Sequence, residues 1–238
     1  MAQVIAVANL KGGVGKSTIS VNLACALAAR GSSVAIIDAD TQGTSAFWNL
    51  GDSLPASVRA MPLEDRGEGR GFLSRLVQSD AADQRSRVQR WKREISKSAE
   101  DYLVIDCPPH VGLATRAAVS IADLVLVPVS ASTADVAATS PALHLISKVR
   151  SNRKDGGPQT MLVPSKVDRT TATGKNIETI LKQFGQTVAP ALCQRIVFAD
   201  SIAFGKWVGA YASGSPAHRE VEALTDQVLK SFTGKTKH

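Results

Sequence analysis

Aromatic residues make up only 5% of this 238-residue chain, and it has three cysteines and four histidines. No apolar run reaches the ~18 to 20 residues needed to span a bilayer, so no transmembrane helix is expected. The N-terminus lacks a basic region followed by an apolar stretch, which argues against a signal peptide. Cys25, Cys107 and Cys193 are odd in number, scattered, and never spaced C-x-x-C. Neither a disulfide framework nor a zinc site is therefore expected, a reducing cytoplasm fits, and the thiols read as small buried hydrophobes. With aromatics so scarce, the 44% hydrophobic fraction must build its core from Ala, Val, Leu and Ile. The length allows one large α/β domain or two small ones. With no repeat and no clear linker, a single domain over residues 1–238 is preferred.

Acidic charge is scarce in one part only. Residues 1–147 hold 14 Lys/Arg and 14 Asp/Glu, while residues 148–238 hold 14 Lys/Arg and 7 Asp/Glu. The whole net charge of +7 thus lies in the C-terminal part. Such an asymmetry points to a polyanion, nucleic acid first and an acidic membrane second, against the alternative of a merely soluble basic surface.

What the chain does have is a glycine-rich loop. Residues 11–18 read Lys-Gly-Gly-Val-Gly-Lys-Ser-Thr. A phosphate-binding loop follows G-x-x-x-x-G-K-[ST], which would put glycine at position 10, yet Leu10 stands there and Lys11 opens the loop. The apolar run Val4–Ala8 before it fits a strand buried on both faces, and Ile19–Ala29 after it is helix-forming and ends at Arg30-Gly31. Backbone N–H groups at such a helix start cradle polyphosphate. Lys16 is positioned to reach the β- and γ-phosphates, and the Ser17 hydroxyl to ligate Mg²⁺. Lys11 is extra positive charge at the loop mouth.

Further strands are expected at Val34–Ile37, Tyr102–Ile105, Leu124–Val129, Thr160–Val163 and, more weakly, Gln194–Phe198, with helices near 113–121, 134–150, 174–184 and 217–232. This alternation predicts an α/β fold, a doubly wound, mostly parallel sheet flanked by helices on both faces. Residues 51–97 are the least regular part and read as a loop followed by a polar helix around Trp91 and Ile95. In doubly wound folds ligands sit at the C-terminal ends of strands, where two strands deliver acids: Asp38-Ala39-Asp40-Thr41-Gln42-Gly43 and Asp106-Cys107-Pro108-Pro109. An apolar strand ending in Asp106 has the form of a Walker B element that holds Mg²⁺. Asp38 and Asp40 alternate along an extended chain, so one can join the Mg²⁺ shell (Asp38) and the other orient the attacking water (Asp40). A plain helix-capping role is the alternative for each.

The loop with Lys11, the 38–43 stretch and Val104-Ile105-Asp106-Cys107-Pro108-Pro109 together resemble the ParA/MinD family of deviant-Walker P-loop ATPases. The likeness is closest to small ParA-type partition ATPases without an N-terminal helix-turn-helix, and Thr41 departs from the proline common in that family. The resemblance implies ATP and Mg²⁺ as ligands, with Lys11, Gly12, Gly13, Val14, Gly15, Lys16, Ser17 and Thr18 holding ATP. It implies an ATP-sandwich homodimer in which Lys11 reaches the partner's nucleotide, and Asp40 activating water beside Lys11 and Lys16. It further implies non-specific binding of double-stranded DNA, a nucleoid-associated location, and a ParB-like or other cargo-bound adaptor that stimulates slow hydrolysis. Arg150, Arg153, Lys154, Arg195, Lys206 and Arg219 are the candidate DNA contacts. The adenine is expected between 164–168 and a segment near 201–204.

Two other functions deserve comparison. A MinD-like membrane-associated division-site regulator needs an amphipathic basic tail, but Leu229 to His238 offers one Leu and one Phe, too little apolar area for stable anchoring, so no membrane partner is expected. An iron–sulfur carrier of the nitrogenase iron protein type needs thiolates bridging two subunits, and none of the three cysteines lies in a glycine-rich cluster loop.

Overall fold

The computed structural model describes residues 2–49, 53–63 and 81–233. Among these, seven strands form one sheet in the order β3-β2-β4-β1-β5-β6-β7, every neighbouring pair parallel. The strands are β1 (Gln3–Val7), β2 (Val34–Asp38), β3 (Ser57–Ala60), β4 (Tyr102–Asp106), β5 (Leu124–Ser130), β6 (Gln159–Ser165) and β7 (Thr187–Val188). The central strands are near-continuous apolar runs because both faces are covered. The two-residue period sends Ile5 and Val7 to one face and Ala6 and Ala8 to the other.

On the first face lie α1 (Lys16–Ala29), α2 (Thr44–Trp48), α8 (Ile196–Ala203), α9 (Val208–Tyr211) and α10 (Pro216–Thr233). Helix α1 is buried from Ile19 to Leu27, so its Ala-rich sequence has no polar face to display. It stops where Gly31 turns to φ 91°, with Gly31 N–H donating to the Ala28 carbonyl. Val221, Leu224 and Val228 of α10 are buried at the expected helical spacing. The second face carries α3 (Ala81–Ser96), α4 (Leu113–Ile121), α6 (Ser140–Ser151) and α7 (Ala172–Lys182), with Trp91 and Ile95 of α3 buried against the sheet. No helix among the described residues is long and apolar enough to cross a membrane.

Three expectations are corrected. Gln194–Phe198 is not a strand. After a single bridge between Cys193 and Val167 the chain turns at Arg195 and enters α8. Burial there follows a helical period, with Phe198, Ser201 and Ile202 turned inward and Ile196 80% exposed. The sheet ends instead on β7, too short to announce itself, and on the other side on β3, a mostly exposed edge in the stretch expected to be loop. The helix expected over 134–150 is two helices, α5 (Thr133–Ala137) and α6, because Pro141 lacks the N–H that continuity requires and instead fits the first turn of α6. The stretch Gly67–Gly71 and the tail from Gly234 to His238 lie outside the described residues.

Candidate active site

The loop between β1 and α1 lies at the C-terminal ends of the strands, beside the ends of β2, β4 and β5. Gly13 and Gly15 adopt φ 74° and 89°, conformations that only glycine reaches without strain, and they turn the chain into α1. The loop is braced from below: Ser165 Oγ donates to the Val14 carbonyl at 2.8 Å, and Asn9, itself tied to the Pro128 carbonyl at 2.6 Å, accepts from Lys11 N–H at 3.1 Å. Ser17 and Thr18 are half-buried at the start of α1. This is the geometry of an anion cradle at a helix N-terminus.

The two lysines occupy different environments. Lys16 is buried, its Nζ 3.1 Å from the Lys11 carbonyl. Burial lowers its pKa, and the nearby Asp106 carboxylate works in the opposite direction. Lys11 is 42% exposed at the side chain and pairs with Asp135 of α5. Asp135 is nearly buried and fixed by its N–H to Ser132 Oγ at 3.1 Å. Nothing in the sequence near Asp135 marks it, since it lies 124 residues from its partner.

Asp106 ends β4 and is fully buried. Ser45 Oγ donates to it at 2.6 Å and Ser20 Oγ at 3.2 Å. Burial pushes its pKa up to about 6, against hydrogen bonds from Ser45 and Ser17 and the Lys16 charge. Asp38 lies beside it in register on β2. One of its oxygens accepts the N–H of Asp40 at 3.1 Å and the other the N–H of Ala46 at 2.8 Å. Burial raises its pKa also, opposed by those two bonds. Asp38 therefore fastens both ends of the 40–46 loop, while Asp40 stands half-exposed above it and accepts Gln42 N–H at 3.0 Å.

The site fits a magnesium nucleotide. No group of three or more His, Cys, Asp or Glu side chains is placed for a metal among the described residues. Mg²⁺ needs only one or two carboxylates, water and phosphate oxygens, and buried Asp106 with the Ser17 hydroxyl can supply the protein's share. Beside the loop is an open cleft floored by Gly12 and Gly13 and walled by Asp135 and Lys166. It adjoins a pocket of about 250 Å³ lined by Thr18, Ile19, Lys166, Arg195, Phe198 and Ile202. Lys166 joins the two and holds φ 49°, a left-handed conformation uncommon for a side chain of its size. The pocket takes Ser165, Lys166 and Ile202 from the two segments expected to flank the base. Phe204 instead points out, 66% exposed, stacked on Tyr211.

The six candidate DNA contacts are not brought together. Arg150 donates to the Pro158 carbonyl and Thr160 Oγ1, and Arg153 pairs with Asp155 and donates to the Ala122 carbonyl, so both serve the N-terminal ends of β5 and β6. Arg195 pairs with Glu220 at 2.7 Å and lines the 250 Å³ pocket. Lys154, Lys206 and Arg219 are exposed, Arg219 also donating to the Gly214 carbonyl.

Comparison with known proteins agrees with this geometry. A sequence profile of the CobQ/CobB/MinD/ParA nucleotide binding domain matches residues 5–208. Maintenance of carboxysome distribution protein A from Halothiobacillus neapolitanus is 28% identical over 230 residues, covering 95% of this chain and 96% of the relative. Sporulation initiation inhibitor protein Soj from Bacillus subtilis is 29% identical over 247 residues, with 95% and 96% covered. A putative plasmid partition protein from Borrelia burgdorferi, solved bound to AMPPNP, superposes with TM-score 0.74 at 19% identity, covering 97% of this chain and all of that one.

Proposed function

The chain belongs to the CobQ/CobB/MinD/ParA nucleotide-binding family, and on that premise we propose that it is a partition-type positioning ATPase. In this reading ATP joins two copies into a sandwich dimer, the dimer coats double-stranded DNA of the nucleoid without sequence preference, and a ParB-like or other cargo-bound adaptor stimulates slow hydrolysis. The observation that carries the reading is the division of labour between the two lysines. Lys16 is buried inside the loop and already supplies a cation in its own subunit, whereas Lys11 stands at the mouth, 42% exposed, on a carboxylate it can leave. A second, mobile cation is superfluous for binding but suited to sensing a nucleotide on another chain. Relatives whose names concern carboxysome distribution and plasmid partition support the same reading.

Placement supports the following roles. Backbone N–H groups of Gly12 to Thr18 and the Lys16 ammonium hold the phosphates. Asp106 and Ser17 would hold Mg²⁺, with Asp38 adjacent, and the ion would supply positive charge to neutralise the phosphates. Asp40, half-exposed at the end of β2, accepts a hydrogen bond from water and aligns it for in-line attack. Asp38 positions Asp40 through the loop it fastens. For DNA, the exposed Lys154 and Lys206 are the best candidates, since Arg150, Arg153 and Arg219 donate to backbone carbonyls and Arg195 pairs with Glu220.

The test is light scattering after size exclusion, with a parallel DNA-binding titration. The wild type should dimerise with ATP and not with ADP, and the Lys11→Ala variant should stay monomeric in both. DNA affinity should appear only in the ATP state and fall steeply with salt, by close to one log–log unit per phosphate contacted. Dimers of Lys11→Ala in ATP would remove the trans role. Strong ATP-dependent binding to anionic vesicles without DNA binding would replace the partition reading with a membrane one.

A further inference from the structure

A second concavity, of about 610 Å³, lies between α4 and α6 on the other face of the sheet from α1. From α6 and its C-cap Asn152 it takes Pro141, His144, Leu145, Lys148, Val149 and Asn152, the i, i+3, i+4, i+7, i+8, i+11 stripe of one helix face. Leu145 and Val149 are half-buried on the core and form the floor with Val111. Arg116 of α4 and His144 and Lys148 of α6 stand exposed along the rim. No acidic residue lines the groove, and no ion-pair partner is formed by any of these three among the described residues. From Pro141 to Asn152 the stripe runs ~16 Å, about three turns of a docked helix.

We infer that this groove is a docking site for an acidic amphipathic helix of a protein partner, apolar residues seated on Leu145, Val149 and Val111 and carboxylates against Arg116, His144 and Lys148. An apolar floor with charged edges is what helix-in-groove recognition uses. A DNA backbone presents no apolar stripe to cover such a floor. A second copy of this chain, itself carrying +7, is poorly matched to a rim of cations. Val111 is five residues beyond Asp106, so the occupant would rest on the 107–112 turn that leads out of the nucleotide site and whose Pro109 lies beside Gly12. The docking surface thus borders the turn best placed to report it to the phosphates.

The probe is a fluorescein-labelled synthetic 15-residue helix with Leu at i, i+3, i+4 and i+7 and Glu on its flanks, measured by anisotropy. The same peptide with Lys for Glu, and a 20-base-pair duplex, serve as comparisons. The Glu peptide should bind the wild type, and Arg116→Glu with Lys148→Glu should weaken it at least tenfold. Leu145→Ala should weaken it roughly fivefold, the scale expected for truncating one half-buried Leu. The two charge reversals are at exposed positions, and circular dichroism checks the fold of all variants. Binding of the Lys peptide equal to or tighter than the Glu peptide overturns the inference, as does no binding or indifference to the substitutions. So does displacement by the duplex when duplex binding is lost in the charge reversals but kept in Leu145→Ala, which would make the face a nucleic-acid surface. Lys11→Ala should bind the Glu peptide as the wild type does, so failure of the ATP-dimer reading and failure of this one are separable.

Discussion

Replacing Asp106 with Asn should stabilise the ligand-free protein at alkaline pH while destroying its magnesium-dependent chemistry. Asp106 is fully buried, and burial lifts its carboxyl from 3.8 to about 6. A carboxyl raised in the folded state favours its neutral form there. Its contribution to stability is intact below the unfolded value, declines as pH rises, and is fully lost once pH passes about 6 to 7. Such a rise corresponds to about 3 kcal/mol, of which about half is already lost by pH 5 and the rest between pH 5 and pH 8. Asparagine does not titrate, keeps one acceptor for Ser45 or Ser20, and can donate to a hydroxyl that rotates to accept. The assay is urea unfolding of both proteins in EDTA without nucleotide, at pH 5 and at pH 8. Titrating groups remote from Asp106 cancel in the comparison, whereas Lys16 and Asp38 feel its charge and modulate the size of the change. The variant's advantage should grow by about 1 to 2 kcal/mol between the two pH values. An advantage that does not change with pH, or that shrinks towards pH 8, would refute the claim that Asp106 is forced to ionise in a dry site.

Lys16→Ala should lower ATP affinity by roughly a hundredfold in calorimetry, because the buried ammonium is the loop's own cation and its loss leaves phosphate charge unpaired. A change under threefold would show that Lys16 does not touch the phosphates. Asp40→Ala should leave ATP binding within about threefold of the wild type and cut single-turnover hydrolysis at least a hundredfold, in the range for losing a general base; a matching loss of binding would mean that Asp40 acts on the loop rather than on water. Gly174→Ala should cost about 2 to 4 kcal/mol in chemical denaturation, since its Cβ would lie 1.9 Å from the Asp168 carbonyl oxygen. A cost below 1 kcal/mol would show that the turn before α7 yields easily.

Much of the site was legible because its residues are consecutive. Residues 11–18 and the Asp106 element carry their chemistry in local spacing, and flanking apolar runs said which strands delivered them. What failed to show are partners far along the chain: Asp135 under Lys11, Ser45 on Asp106 and Ser165 under Val14. The misread strand at Gln194–Phe198 has a related cause. A short β-branched and aromatic run suits a buried strand and a helix equally, and only the inward turn of Phe198, Ser201 and Ile202 decides. The basic residues failed differently. A surplus of positive charge was counted correctly, but counting cannot tell an arginine that meets solvent from one such as Arg153 that closes the ends of two strands.

The site also shows why it should respond to ligand at all. Lys16 has its pKa lowered by burial, and Asp38 and Asp106 have theirs raised by it. Each charge is partly suppressed by the same dry surroundings, although a lysine and two carboxylates lie close enough to influence one another. A ligand that brings both signs, phosphate for Lys16 and a divalent cation for Asp106, relieves both penalties together, whereas either alone relieves one. Binding of nucleotide and of metal should therefore be mutually reinforcing. Loss of a γ-phosphate would remove anionic charge from that balance and would weaken the hold on the cation. The loop that Asp38 and Ser45 fasten across both acids, residues 40–46, is thereby tied to the carboxylates whose charge state changes, so the nucleotide's state can reach the molecular surface through Asp40 without any large rearrangement of the sheet.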